Sequence, residues 1–300
     1  MRTSIPASAS SEPPAAGGLA ARSPWRDVFR RLRRSRGATV GGVILVALVL
    51  AAVVAPLLTP YEPLVMNPGD GLQPPSRRHW LGTDVLGRDL FTRILFGSRI
   101  SLQTGLISVS IAIAIGVPMG LLSGFYGGAT DRLMMRVVDL MLTFPGILLA
   151  LVIIAILGPD LFHAMLAVGI SASPTYARVV RATVLSAKSQ TYVEAARATG
   201  CTNLRIMLRH ILPNTVASII VLATLGVAGA IIAAAALSYL GLGAKPPQPE
   251  WGALLSEGRN YLRVAWWMTT FPGLAIMTAV LSINLLGDGL RDALDPRLRN

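Results

Sequence analysis

The side chains best suited to specific contacts lie in one polar segment, residues 191–213, between two long apolar runs. Its first part predicts a short helix that ends at Gly200, because glycine readily takes the left-handed conformation found at helix C-termini. Thr202 is a suitable N-cap for a second helix, which Pro213 is expected to end. The candidate site residues share this segment: Glu194, Ala195, Ala196, Gly200, Leu204, Leu208 and Pro213.

The second predicted helix of this segment allows more than one interpretation. It has an apolar stripe at helical spacing, formed by Leu204, Met207, Leu208 and Ile211. Its arginines would face water, so one interpretation is a solvated basic loop that binds no partner. A DNA-binding helix-turn-helix is another, but the apolar flanks leave too little chain for the rest of such a domain, and we expect no nucleic-acid partner.

The sequence offers no set of residues for catalysis or metal binding. A phosphate-binding loop needs Gly-Lys-Ser/Thr, whereas Lys188 and Lys245 both follow alanine. None of the three histidines belongs to an HExxH motif, and the lone Cys201 excludes a cysteine-based metal cluster. We therefore predict no catalytic residues, no metal site and no cofactor bound by this chain. An intramembrane enzyme remains a remote alternative.

Composition and the distribution of charge predict an all-α, polytopic membrane protein. Hydrophobic residues make up 53% of the 300 and charged residues 14%, and the charges fall between long uncharged runs. Six membrane-spanning helices are predicted, over residues 37–61, 100–130, 140–159, 161–177, 215–243 and 264–287. The segment 131–139 between the second and third runs is expected to be a short charged turn, with Asp139 pairing with Arg136.

The chain divides into four predicted parts. Residues 1–36 form a disordered and basic N-terminal segment, and 37–100 hold the first span and an outer loop. Residues 101–287 form a five-helix core that contains the polar segment 191–213, and 288–300 form a tail. In the outer loop, Thr83 is expected to cap a surface helix with an apolar face that includes Leu86 and Leu90.

The distribution of lysine and arginine predicts the orientation. With both termini in the cytoplasm, 19 of the 27 basic residues lie in inner segments and 8 in outer ones. The inverted arrangement would place the 19 outside, against the positive-inside rule. The polar segment 191–213 is therefore predicted to be cytoplasmic.

Several sequence motifs resemble one transporter family. The pattern Glu-Ala-Ala, three residues, Gly, with Ile-Leu-Pro at 211–213, resembles the EAA loop of the permease subunits of ABC importers. The sequences PPQPEWG and GDGLRDALDP are similar to those of the C-type permeases of the dipeptide, oligopeptide and nickel importer subfamily. The sequence around TFPGILLA is most similar to that of glutathione-type permeases.

This resemblance implies a type I ABC importer permease fold in a bacterial inner (cell) membrane. It implies a heterodimer with a second permease, two cytoplasmic ATPases that carry the ATP and Mg²⁺, and an external solute-binding protein. Residues 191–213 would then be the coupling loop that seats in the ATPase. The cargo implied is a short peptide (dipeptide, oligopeptide or glutathione), with nickel or another small solute as the alternative. The resemblance assigns no residue to the substrate pathway.

Overall fold

The structure, a computed structural model, describes residues 24–294, and this part of the chain is helical with irregular connections. Its helices are α1 Pro24–Arg34, α2 Arg36–Val53, α3 Ala55–Leu58, α4 Leu90–Tyr126, α5 Gly128–Thr143, α6 Gly146–Leu157, α7 Leu161–Lys188, α8 Thr191–Ala198, α9 Asn203–Arg205, α10 Leu212–Tyr239, α11 Trp251–Gly258 and α12 Trp267–Leu294. Short 3₁₀ turns occupy Pro68–Asp70 and Arg259–Tyr261, and a π-helical turn occupies Ile206–Ile211. The parts of the predicted N-terminal segment and tail at 1–23 and 295–300 lie outside the described residues.

Four helices of the described part are long and apolar enough to cross a membrane. They are α2, α4, α12 and the continuous helix Asn203–Tyr239, which includes α9, the π-helical turn and α10. The pair α5 and α6 makes a fifth if it is counted as one broken span. The predicted all-helical, multi-pass protein is confirmed. The fourth predicted span, 161–177, corresponds to α7, which has 28 residues but carries Arg178, Arg181 and Lys188 toward its C-terminal end and is not one of these candidates.

The span predicted over residues 140–159 is not one straight helix, because the chain bends by 94° between α5 and α6, which together can form one broken span. Phe144 has φ −92° and ψ 137°, an extended conformation. The cause is Pro145, since a proline disfavours helical geometry in the residue before it and cannot donate a backbone hydrogen bond. The predicted charged turn 131–139 is also wrong, as it lies inside α5.

The centre of the bundle is the contact between α4 and α7. Gly116, Gly120 and Gly124 recur every fourth residue on α4 and lie against α7. A Cβ at Gly120 would lie 2.8 Å from Cβ of Val180, and one at Gly124 would lie 2.9 Å from Cβ of Val184. Three side chains are therefore absent where the two backbones approach most closely, the pattern expected for close helix packing in a membrane.

The remaining helices pack around this pair. α10 contacts both α4 and α7, α6 lies against α7, and α12 joins α10 to α2. The predicted boundaries at 100 and 287 lie inside α4 and α12, so both helices run across them. The four-part division stays a prediction.

The outer loop does not form the surface helix predicted from Thr83. Thr83 lies in an isolated bridge with Asp89, and its hydroxyl donates to the carbonyl of Asp70 at 2.6 Å. Helix α4 instead begins at Leu90 and is capped by Asp89, which accepts from the Thr92 amide at 2.8 Å. The sequence pattern failed here because turn residues with paired side chains replaced the expected amphipathic face.

A buried charge cluster fixes this loop to the helices. Arg93 is fully buried, and its Nη1 donates to Asp84 Oδ2 at 2.7 Å and to Glu257 Oε2 at 2.6 Å. Arg88 contacts the same two carboxylates at 2.6 and 2.9 Å. The two arginines and two carboxylates balance in charge, so each buried ion has a partner of opposite sign.

Glu250 makes a second buried connection, between α4 and α11. Its Oε1 accepts from the Ser101 hydroxyl at 3.3 Å, and its Oε2 accepts from the Ala253 amide at 3.0 Å, which caps α11. Burial raises the pKa of this carboxyl above its usual value, because removal from water disfavours the charged form. The PEWG motif of the sequence is therefore a structural junction.

The charge cluster yields a stability prediction. Arg93→Met should destabilise the protein by about 3 kcal/mol, since it leaves buried carboxylates short of a counter-charge, and should lower its thermal midpoint in detergent by roughly 5 °C or more. Arg78→Met is the matched control, because Arg78 is 67% exposed and lies 3.6 Å from Asp70; it should cost about 1 kcal/mol or less. Equal midpoints for the two variants, measured by intrinsic fluorescence, would contradict this account.

Candidate functional site

The candidate site is the connection between α7 and the helix that follows, and its local structure agrees with the sequence. Helix α8 ends at Ala198, and Gly200 has φ +80°, the left-handed conformation that was predicted. Thr202 caps the next helix by accepting from the Arg205 amide at 3.4 Å, which is also confirmed. The segment therefore has two short helical parts joined by a sharp turn.

One face of this segment is anchored in the membrane bundle. Val193 and Ala196 of α8 are buried together with Ile206, Met207 and Ile211, in a cluster that includes residues of α4 and α7. Lys188, at the end of α7, donates from Nζ to the Phe125 carbonyl at 2.6 Å. The segment is thus held against the ends of α4 and α7 and cannot move independently of them without exposing this cluster.

The predicted apolar stripe divides between two faces. Met207 and Ile211 point into the cluster, whereas Leu204 is 60% exposed and Leu208 is 48% exposed. The π-helical turn at Ile206–Ile211 changes the helical period, so residues at i, i+3, i+4, i+7 no longer share one face. Leu204 and Leu208 are therefore exposed on the surface of the segment.

Pro213 does not end the second helix, and this prediction is wrong. The helix continues to Tyr239, with Pro213 in the first turn of α10. The Leu212 amide bonds to the Met207 carbonyl, five residues back. Because the proline ring would clash with the carbonyl four residues before it, a wider turn at this point allows the helix to continue.

The remaining candidate residues differ in exposure. Glu194 and Ala195 are exposed, and Glu194 has no hydrogen-bond or ion-pair partner among the described residues. Ala196 is buried in this chain's own core, so its small size serves the contact with α4 and α7. The structure therefore brings Glu194, Leu204 and Leu208 to an accessible surface and gives Ala196 and Gly200 supporting positions.

Two ion pairs join α5 to α7, the helix that leads into this segment. Nε and Nη2 of Arg181 donate to the two carboxylate oxygens of Asp131 at 2.6 and 2.7 Å. Arg178 donates to Asp139 at 2.7 Å. The predicted pairing of Asp139 with Arg136 is wrong, because the Asp139 carboxylate pairs with Arg178 of α7 instead. The charged residues of this region thus serve contacts between helices.

Sequence reasoning missed a cavity of about 330 Å³ among α4, α6, α7 and α10. Ser108, Gly146, Tyr176 and Gly229 are among its lining residues. Pro145 and the small residues of α10 were the available signals, but nothing in the spacing showed that these helices meet there. No group of three His, Cys, Asp or Glu side chains in the described part of the chain could hold a metal ion.

Comparisons with known proteins agree on one class, a multi-pass permease. Residues 116–300 match the family described as "Binding-protein-dependent transport system inner membrane component". Residues 23–75 match the "N-terminal TM domain of oligopeptide transport permease C". The chain belongs to this family of inner membrane transport components, which implies a binding protein and an ATPase as partners. It is a transport component and not itself an enzyme.

The chain is similar to curated relatives over almost its whole length. It is 48% identical to the dipeptide transport system permease protein DppC of Alkalihalophilus pseudofirmus, over 96% of this chain and 95% of the relative. It is 47% identical to the glutathione transport system permease protein GsiD of Pectobacterium atrosepticum, over 93% of each. A solved structure of the MetNI methionine ABC transporter matches its fold with a TM-score of 0.56 and 22% identity, over 69% of this chain and 98% of that one.

The turn at Gly200 leads to a prediction about coupling to the ATPase. A Cβ there would contact nothing within 4 Å, so Gly200→Val acts only through the backbone, at roughly 1–2 kcal/mol for the left-handed conformation. The substitution should change the backbone conformation of the turn and thereby reduce solute uptake by roughly fivefold at equal membrane abundance. Gly200→Asn should transport nearly normally, since asparagine tolerates this conformation. Equal uptake by both variants would show that the geometry of the turn is unimportant.

Proposed function

We propose that the chain is the C-type permease of an ATP-driven importer of short peptides in a bacterial inner membrane. It crosses the membrane six times in a type I ABC importer permease fold, with both termini in the cytoplasm. It pairs with a second permease, and two cytoplasmic ATPases and an external binding protein complete the transporter. ATP and Mg²⁺ belong to the ATPases.

The observation that carries the coupling role is the exposed surface of residues 191–213. Leu204 and Leu208 are exposed on a segment that is otherwise anchored in the bundle, and the exposed carboxylate of Glu194 in the same segment is unpaired among the described residues. Exposed leucines and a carboxylate in one short segment suit a protein partner, which would cover the apolar area and neutralise the charge. In a solvated loop this apolar area would stay in water.

The peptide cargo is supported by the similarity to permeases named for dipeptide and glutathione transport, at 48% and 47% identity. Nickel or another small solute of the same subfamily is the second candidate. Against a metal ion stands the lining of the cavity, which has no Asp, Glu, His or Cys side chain to bind a divalent cation.

The test of this function is uptake by the whole transporter. Cells that express the chain with its second permease, ATPases and binding protein should take up a radiolabelled dipeptide and not Ni²⁺. Leu208→Asp should abolish most of this uptake and release the ATPases on purification, because a charge replaces an apolar contact. Leu208→Met is the matched control and should behave as the parent does. Nickel uptake without peptide uptake would favour the second candidate.

The six-span arrangement makes a separate prediction about sidedness. In a Cys201→Ser background, Gln248→Cys in the loop before α11 should react with an impermeant thiol reagent added outside intact cells. Ser189→Cys, between α7 and α8, should react only after permeabilisation. Both positions are in connections between helices, so neither change disturbs a span. The reverse pattern would refute the orientation with both termini inside.

A further inference from the structure

The cavity among α4, α6, α7 and α10 contains a hydroxyl group whose bonding is incomplete. Ser108 lies in its wall and is 1% exposed, and its Oγ has no hydrogen-bond partner among the described residues. Neighbouring hydroxyls differ: Ser110 donates to the Leu106 carbonyl at 2.8 Å, and Ser171 donates to the Ala167 carbonyl at 2.7 Å. A buried polar group without a partner is costly, so this hydroxyl would gain from a hydrogen-bonding partner at the cavity wall.

The same cavity is bordered by free backbone donors. Helix α6 begins at Gly146, directly after the break at Pro145, and has no side-chain cap. The amides of Leu148 and Leu149 bond to the Pro145 carbonyl at 2.9 and 3.1 Å. Those of Gly146 and Ile147, which both line the cavity, have no partner in the described residues. Such irregular backbone persists at membrane depth where it faces protein or a water-filled cavity.

The chemistry of the occupant follows from these groups. Free amides at a helix N-terminus carry partial positive charge and favour an anion, and broken helices in transporters direct such ends at anionic groups of the substrate. The lining contains no Asp, Glu, Lys, Arg or His, and apart from Ser108 and three further hydroxyl side chains (Ser171, Thr175 and Tyr176) it is apolar. A lipid chain fits the apolar wall but offers nothing to the amides or to Ser108.

We propose that this cavity is a substrate subsite, in which the amides of Gly146 and Ile147 receive a peptide carboxylate and the apolar wall receives the adjoining side chain. Its volume of about 330 Å³ is at the low end for ligand pockets and suits the end of a peptide. Ser108 supplies a further hydrogen bond. The subsite rests on the proposed peptide import and names the part of the peptide that this permease holds.

Gly146 provides a direct test, because it is the first residue of α6 and its added Cβ would meet nothing within 4 Å. Proline is well tolerated at that position of a helix, and Pro145, with ψ 131°, already has the extended conformation that proline requires before it. Gly146→Pro therefore removes one free amide with little effect on the fold. Gly146→Ala keeps the amide and is the matched control.

Uptake of one radiolabelled dipeptide by the assembled transporter should be about tenfold or more lower for Gly146→Pro than for Gly146→Ala, since a hydrogen bond to a charged group is lost. The same dipeptide with a C-terminal amide should differ less than twofold between the two variants. Comparing variants on the same substrate cancels selection by the binding protein. Equal dipeptide uptake by both variants would overturn the subsite and mean that water alone occupies the amides.

A second pair of variants tests the apolar part independently. Gly229 also lines the cavity with open space at its Cβ position, so Gly229→Leu should lower uptake of a dipeptide ending in phenylalanine at least fivefold more than uptake of diglycine. Gly273→Leu on α12, where the nearest atom to an added Cβ is 3.9 Å away, should leave both unchanged. Equal effects of Gly229→Leu on the two peptides would overturn the subsite. A parent transporter that imports no peptide would overturn the proposed function as well.

Discussion

The structure depends on the close approach of α4 and α7. Gly116, Gly120 and Gly124 leave room for the backbone of α7, and in a membrane such contact replaces the hydrophobic effect as the force that joins helices. The contact fixes the end of α7 and therefore the position of the segment that follows it. Beside this contact, α7 also packs against α6 and α10, and α10 packs against α4, so that the four helices enclose the cavity. Both candidate sites are consequences of this one contact.

Different interactions hold the loop that precedes α4. This loop contributes few large apolar side chains to a core. It is held instead by two arginines and two carboxylates that neutralise each other, Arg88 and Arg93 with Asp84 and Glu257. A buried ion pair gives little net stability, but loss of one partner is costly. Such a cluster therefore favours one pairing of elements, in which the loop before α4 lies against α11, the helix that supplies Glu257.

The sequence predicted local features well and long-range ones poorly. Gly200 and Thr202 were predictable because turn and cap chemistry depends on the residue itself. The all-helical membrane class followed from composition, and the family from motifs. The bend at Pro145 was missed because hydropathy does not change there, although proline at that position was a visible signal. Leu204 and Leu208 were assigned to one apolar stripe with Met207 and Ile211 because the sequence contains no sign of a π-helical turn. The cluster of Arg93 with Glu257 joins residues 164 positions apart, and no local pattern contains that pairing.

Helix α7 physically connects the two candidate sites. Its C-terminal end leads into segment 191–213, and its middle, at Thr175 and Tyr176, lines the cavity; these points are roughly 20 Å apart along a helix. Pro174 directly precedes these cavity residues and cannot bond to the Ile170 carbonyl. The Ser173 hydroxyl donates to that carbonyl at 2.8 Å instead, so the helix passes the proline without a buried unsatisfied group there. Because Thr175 and Tyr176 lie on the same side of Pro174 as segment 191–213, a displacement of that segment carries them with it, whether α7 moves as a unit or bends at the proline. Because Gly116 packs against Ser173 and Tyr176, a bend there would also separate the closest contact between α4 and α7. Movement of α7 as a unit is therefore the less costly response.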